Sequence, residues 1–347
     1  MPLKVLPKSN FLLHIHPREV PAAALKFSLT WGLGGAAALM IFLQLLTGLL
    51  LNFAYKPFPV HSYLSVQHIQ TDLFLGQLIR NMHHWAGHFL IIIVCLHLLR
   101  TFFSGAYFTP RRSCWYSGLV LFLFVLLANF TGYLLPWDQL AFWAITIASS
   151  MLAYIPVSGE LLQRLILGGT EVSGATLQIF HSLHTTLLPL GFLFCMPYHF
   201  WRVRKAGGVK IDAVNKPSTL PVIPELLVRE LAFATVLICF LLLWSMQFDA
   251  PLTAMANPNL TPETVKAPWY FLWLQELLLH MPPVLAICVL PIAFAVFLLL
   301  LPLLGEKKGK ALRPIQVILI SFMLVILALT TTGLWFRGAG MKLIMPW

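Results

Sequence analysis

The sequence predicts an all-α, polytopic membrane protein: a four-helix bundle followed by three further transmembrane helices. Three observations carry this reading. Of 347 residues, 59% are hydrophobic and 10% charged, with mean hydropathy +0.83, far outside the balance of a soluble domain. Seven apolar runs approach or exceed the ~20 residues needed to cross ~30 Å of hydrocarbon. Two of those runs each carry a pair of histidines at nearly equal spacing, which is costly inside a membrane unless the rings have partners.

The spans are read at roughly 31–54, 78–104, 116–136, 177–203, 227–248, 284–304 and 314–336. The basic clusters Lys4/Lys8/Arg18/Lys26, Arg111/Arg112, Arg202/Arg204/Lys205/Lys210/Lys216 and Lys307/Lys308/Lys310/Arg313 all fall on one side. Opposite them lie Glu160, Glu171, Asp249 and Glu263. The positive-inside rule then puts the N-terminus in the cytoplasm and the C-terminus in the periplasm of a bacterial cytoplasmic membrane. The net charge of +11 reads as topology and contact with anionic membrane lipid, not as a nucleic-acid surface. Residues 1–26 are polar and basic, so no signal peptide is expected. The five cysteines form no CxxC or CxxCH, which indicates neither zinc nor conventional covalent haem attachment.

Two connections on the outer side, 137–176 and 249–283, are Trp-rich and broken by Pro or Gly. They predict short helices lying at the membrane surface, and long structured loops on one face usually form a site. The basic, proline-containing link divides the chain into an N-terminal segment 1–30, a four-helix part 31–204, a linker 205–224 and a three-helix part 225–347.

The second span carries His83 and His97 fourteen residues apart. On an ideal helix that is about 21 Å and within about 40° of one face. The fourth carries His184 and His199, fifteen apart, with Pro189 and Pro197 able to adjust the phase. These two spans run parallel, so His83 meets His184 near the outer face and His97 meets His199 near the inner one. Two bis-histidine sites stacked across a membrane suit two non-covalent b-type haems, and filled axial positions mean electron carriage. Gly34 and Gly48 in the first span, and Gly118 and Gly132 in the third, repeat the fourteen-residue interval. Each costs about 1 kcal/mol against alanine. One such pair would read as close helix packing; together they leave room for a porphyrin edge at the same two depths. Gln44 lies between the first pair and joins the cofactor-binding set. Arg80 and Arg100 stand beside the ligands as partners for haem propionates, with snorkelling to the interface as the alternative. His84, His88 and His181 read as hydrogen-bonding neighbours, and His14, His16, His61, His68 and His280 as solvated.

From the stretches WGLGG…QLLTG, LIRNMHH…HLLR, GYLLPWDQ, ATLQIF…H and NPNLTPETVKAPWYF, the chain resembles the cytochrome b subunit of quinol-oxidising cytochrome bc complexes over about residues 30–305. The His184–His199 interval, LPWDQ and the seven-span count are similar to the split chloroplast-type form, with its two polypeptides joined. The resemblance implies a low-potential outer haem on His83 and His184 and a high-potential inner haem on His97 and His199. It also implies quinol oxidation outside and quinone reduction inside. The outer site would involve Tyr133, Pro136, Asp138, Trp269 and Tyr270, and the inner region Arg204 and Glu230. A Rieske iron–sulfur protein or a multihaem cytochrome c would take the second electron, and the core would be a homodimer.

Three departures matter. Gly32 stands where the chloroplast-type form has its haem-attaching cysteine, so no covalent c-type haem is expected. Ile179 replaces the family's arginine before the fourth-span ligand. The family's Pro-Glu-Trp-Tyr reads Ala267-Pro268-Trp269-Tyr270, so the carboxylate that would take a quinol proton is Pro268. General-base work needs a group within hydrogen-bond reach, and Asp138, Glu263 and Glu276 are the nearby carboxylates, with Glu276 preferred. Two functions stay open at this point: a quinol-oxidising subunit, and a di-haem anchor relaying electrons between a periplasmic partner and the quinone pool without a bifurcating outer site.

Overall fold

A computed structural model describes residues 18–211, 218–304, 306–307, 310–311 and 313–344; Lys4, Lys8, His14, His16, Lys216 and Lys308 lie outside the described residues. Seven helices are long and apolar enough to cross a membrane: Leu33–Asn52, Gly76–Phe103, Arg112–Leu134, Gly174–Lys205, Val222–Gln247, Leu285–Leu303 and Arg313–Trp335. They are called spans one to seven below.

Local chemistry sets their ends. Span one starts after Gly32, which sits at φ +64°, and a Cβ there would come within 2.8 Å of Phe233 in span five. Span four starts with a capping box in which Ser173 and Thr176 satisfy each other's backbone N–H groups. Span four also contains a π-helical turn, Leu183–Leu187, directly ahead of Pro189. A π-turn accommodates one extra residue within an α-helix. The fifteen-residue interval from His184 to His199 therefore presents the same faces as the fourteen-residue interval in span two. Pro189 supplies the cause, because its missing N–H and its ring disturb the ladder one turn back. A second π-turn, Leu285–Val289, precedes Pro291 in span six in the same way.

Spans one and two pack together, as do spans three and four, and span five packs on span two. Met40, Ile41, Leu90, Ile91, Val125 and Phe192 form the buried core of this bundle. Toward the basic side a second cluster, Phe102, Tyr107, Trp115, Leu298, Leu301 and Leu319, ties spans six and seven to the bundle. There Trp115 Nε1 donates to the Leu298 carbonyl at 2.8 Å. On that side too, strand β1 (Glu19–Pro21) pairs antiparallel with β2 (Thr219–Pro221).

The opposite side carries the short helices Gln139–Leu152, Gly159–Leu167 and Leu272–Leu278, together with Pro59–Thr71, which the sequence reading did not anticipate. The stretch 250–268 is non-helical. Its form comes from hydrogen bonds to the turn that closes span three.

Candidate functional site: two histidine layers and an outer clamp

At one depth, the rings of His83 and His184 face each other with centroids 6.1 Å apart and planes at 80°. At the other, His97 and His199 line a partly open cavity with Gly34, Gly118, Trp115 and Met196. The four glycines abut the four histidines one to one. A Cβ would lie 3.0 Å from His83 Cε1 at Gly48, 2.6 Å from His184 Cε1 at Gly132, and 3.4 Å from His97 and His199 at Gly34 and Gly118. Between the layers, Gln44 Nε2 donates to the His83 carbonyl at 2.7 Å.

Three of the four histidines have a hydroxyl partner that sequence reasoning missed. His83 Nδ1 lies 2.9 Å from Thr47 Oγ1, His199 Nδ1 2.8 Å from Ser117 Oγ, and His184 Nδ1 3.1 Å from Thr131 Oγ1. Each hydroxyl donates its one hydrogen to a carbonyl four residues back, of Leu43, Ser113 and Leu127. Its lone pair then accepts from the imidazole, which places the proton on Nδ1 and leaves Nε2 as an electron-pair donor. The signal was present as the doublets Thr47-Gly48, Ser117-Gly118 and Thr131-Gly132. Before Gly34 stands Leu33, which offers no hydroxyl.

The arginines differ between layers. Arg80 commits both terminal nitrogens to protein acceptors: Nη1 donates to Ala250 O at 2.6 Å and Gln70 Oε1 at 3.2 Å, and Nη2 to Pro251 O at 2.6 Å. Its neighbour Asn81 holds Ser245 O, Asp249 and the Ala250 N–H. Together they grip the exit of span five. Arg100 donates Nε to Leu29 O at 2.9 Å, while its Nη2 is buried without a partner.

Beyond the His83 layer, the LPWDQ turn clamps the 250–268 stretch. Trp137 is buried in a left-handed conformation, φ +52°. Asp138 caps the next helix by accepting from Ala141 N at 2.9 Å, and also accepts from Thr253 N at 2.9 Å. Gln139 binds Asn257 through its carbonyl and amide, and donates to Leu260 O. Pro136 is half-buried in the same turn. The last turns of span three and the Trp269–Phe271 segment approach each other: Phe130 and Phe271 are in edge contact at 5.8 Å. Burial, and secondarily the neighbouring Tyr133, raise the phenol pKa of Tyr270 above its ordinary range. Trp269 Nε1 donates to His88 Nδ1 at 2.7 Å, an outer-layer contact that spacing alone did not reveal.

Glu276, the carboxylate preferred above as proton acceptor, is already engaged by other side chains. It is 1% exposed and paired with Arg337 after span seven, which donates Nε to both oxygens at 3.2 and 3.1 Å and Nη2 as well. His280 Nε2 lies 3.0 Å from the same carboxylate. The Arg337 bond, partly opposed by burial, holds the Glu276 pKa below its ordinary value, the reverse of what a proton acceptor needs. Glu263 is exposed in the outer loop, and Arg204 and Glu230 are exposed on the basic side.

Fold and site together define a multi-span helical membrane protein with two histidine-lined layers stacked between its first four spans. The cytochrome b/b6/petB family model matches residues 20–207, and that for the cytochrome b C-terminal region (b6/petD) matches residues 255–343. The chain is 31% identical over 322 residues to cytochrome b/c1 of Bradyrhizobium diazoefficiens, an alignment covering 90% of this chain and 45% of that protein. It is 38% identical over 175 residues to cytochrome b6 of Prochlorococcus marinus, covering 50% of this chain and 80% of the relative. Among solved structures, a chain of a hyperthermophilic respiratory Complex III superposes with TM-score 0.80 at 26% identity, over 91% of this chain and 86% of that one. The chain belongs to the cytochrome b family: it is a cytochrome b of the bc type in fused form, with the b6-like and petD-like parts in one polypeptide.

Proposed function

We propose that this chain is the di-haem, quinol-oxidising subunit of a bacterial respiratory or photosynthetic complex, moving electrons between an outer quinol site and an inner quinone site. The observation that carries it is the pair of histidine layers, each faced by its own two glycines. Nitrogen ligands bind first-row metals at about 2 Å, so two imidazoles on opposite sides of one ion have ring centroids about 6 Å apart; His83 and His184 stand at 6.1 Å. The inner cavity, its glycine walls and the unpartnered Arg100 Nη2 suit a flat dianionic group equally well. The fit supports non-covalent b-type haems on His83/His184 and His97/His199. Among the described residues no cluster of three or more His, Cys, Asp or Glu suggests a different kind of metal site.

When bound, each haem takes up and releases one electron. The protein's part is to hold ligands and charges in place. The hydroxyls fix the imidazole tautomers of His83, His184 and His199, and the packed core of the bundle holds the two layers apart. Outside, Tyr133, Pro136, Trp269 and Tyr270 frame the quinol region, with Asp138 and Gln139 positioning the covering loop. Quinol must lose two protons along with two electrons. Of the three carboxylates near that region in sequence, Asp138 and Glu276 are engaged by backbone N–H groups and by Arg337, and only Glu263 is exposed. Inside, Arg204 and Glu230 belong to the quinone region. One electron crosses the membrane; the other passes to a Rieske-type or cytochrome c partner in a dimeric complex. The N-terminus is cytoplasmic by charge.

The test is the reduced-minus-oxidised spectrum of the purified complex, with two b-type haems per chain expected and quinol-driven reduction blocked by an outer-site quinol analogue. A preparation with intact chain and no bis-histidine spectrum would sink the proposal.

A further inference from the structure

Arg202 belongs by sequence with the basic residues that set topology, but its surroundings are not those of a snorkelling side chain. Its Nη2 donates to Ser113 Oγ at 2.6 Å, and its guanidinium lies 5.5 Å from the Trp201 ring. Its Nε is buried with no partner, an arrangement that is costly unless something polar arrives to meet it. Arg202 follows His199 by three residues as Arg100 follows His97, so each arginine stands about 4.5 Å further toward the basic side on nearly the same face as a ligand. Ser113, its hydrogen-bond partner, precedes Cys114 in the wall of the inner cavity. Arg100 and Arg202 are the two arginines with a buried, unpartnered nitrogen among the described residues, and neither is in an ion pair there. The outer layer has no counterpart, since Arg80 is bound to carbonyls and Ile179 is apolar.

We propose that Arg202, together with Arg100, anchors the carboxylates of the inner haem, so that this group is held by guanidiniums from spans two and four. The inference rests on the two-haem reading and adds a role that Arg202's place among the topology charges did not suggest. It also has a direction. An oxidised haem carries one more positive charge than a reduced one, and nearby cations in a low-dielectric site disfavour the more positive state. Two guanidiniums at the inner layer therefore raise the reduction potential of the inner haem, Arg202 adding to the effect of Arg100.

The experiment is an equilibrium optical redox titration of the intact purified complex, with the inner wave identified as the one lost in His199→Ala. Arg202→Gln is expected to shift the inner wave to lower potential, or to remove it selectively, and to leave the outer wave in place. Arg202→Lys, which keeps the charge but not the fork, should fall between wild type and Arg202→Gln; it decides the matter if Arg202→Gln fails to assemble. Arg112→Gln, at an exposed neighbouring position, should move neither wave. An unshifted inner wave in Arg202→Gln, or a shift of the outer wave alone, would overturn the assignment. A wild-type complex lacking two b-type waves would overturn the two-haem reading itself, a separate failure.

Discussion

Thr47, Ser117 and Thr131 show how much one hydroxyl settles. With its hydrogen given to the helix backbone, each side chain can only accept from its histidine, and the ring must turn Nε2 to the cavity. Outer partners of this kind orient a ligand and typically change metal affinity by about 10- to 100-fold. If each layer holds a haem as proposed, Thr131→Val should lower retention of the outer one by at least about 10-fold against a haem-scavenging apoprotein, with the inner one retained; unchanged retention would show that the hydroxyl is dispensable. The glycines make a graded prediction. Alanine at Gly132 or Gly48 meets His184 or His83 at 2.6 or 3.0 Å, whereas at Gly34 or Gly118 the contact is an ordinary 3.4 Å. Gly132→Ala should thus cost more haem than Gly34→Ala, read as the haem-to-protein ratio of each purified variant. The four-histidine, four-glycine pattern was visible in the sequence because helical periodicity turns spacing into depth. The hydroxyls were equally present, but their meaning depends on which spans face each other.

At the level of elements, span four explains an irregular interval. Fifteen residues do the work of fourteen because the π-turn at Leu183–Leu187 absorbs one. Deleting Thr186 should let the turn revert to α-helix and keep both haems, whereas deleting Ile92 from the regular span two should rotate His97 away and lose one. Counting haems spectroscopically in both deletions separates this account from one in which interval length alone matters. The LPWDQ turn is the second such element. Asp138→Ala removes the acceptor for two N–H groups, including a helix cap whose loss costs about 1 kcal/mol. Faster hydrogen exchange at the Ala141 and Thr253 amides, with both haems present, is the expected result. Sequence reading put short helices across 249–283. The residues up to 268 took a different form because their polar groups are satisfied by Asp138, Gln139 and Asn81, more than a hundred positions away.

For the molecule as a whole, the Glu276–Arg337 pair fastens the outer segment Leu272–Leu278 to the end of span seven, where the two elements pack. The carboxylate's pKa is depressed in the folded protein. Its stabilisation is therefore fully present above the unfolded value, ordinarily 4.5, and is lost as pH falls through the lower native value. Glu276→Gln should lower the thermal unfolding midpoint by several degrees at neutral pH. The gap from wild type should close as pH falls through that native value, and a constant gap down to the lowest pH at which the complex stays soluble would contradict the assignment. The same pairing could not be read from the proximity of Glu276 to Trp269 and Tyr270 in sequence. Its helix is short, and the face it occupies is fixed by packing on span seven, which lies about sixty residues further along.

By itself the sequence determined the class of protein, its seven crossings, the two depths of histidine and glycine, and the family. The first three follow from local hydropathy or from spacing along a helix, which needs no knowledge of neighbours; the family follows from the resemblance carried by stretches such as GYLLPWDQ and NPNLTPETVKAPWYF. Tertiary structure alone decided which hydroxyl meets which imidazole, which arginines keep a buried nitrogen without a partner, and whether a carboxylate sits free or in an ion pair. Those are matters of contact between segments far apart in the chain, and the energy of a buried polar group depends on what stands within about 3 Å of it.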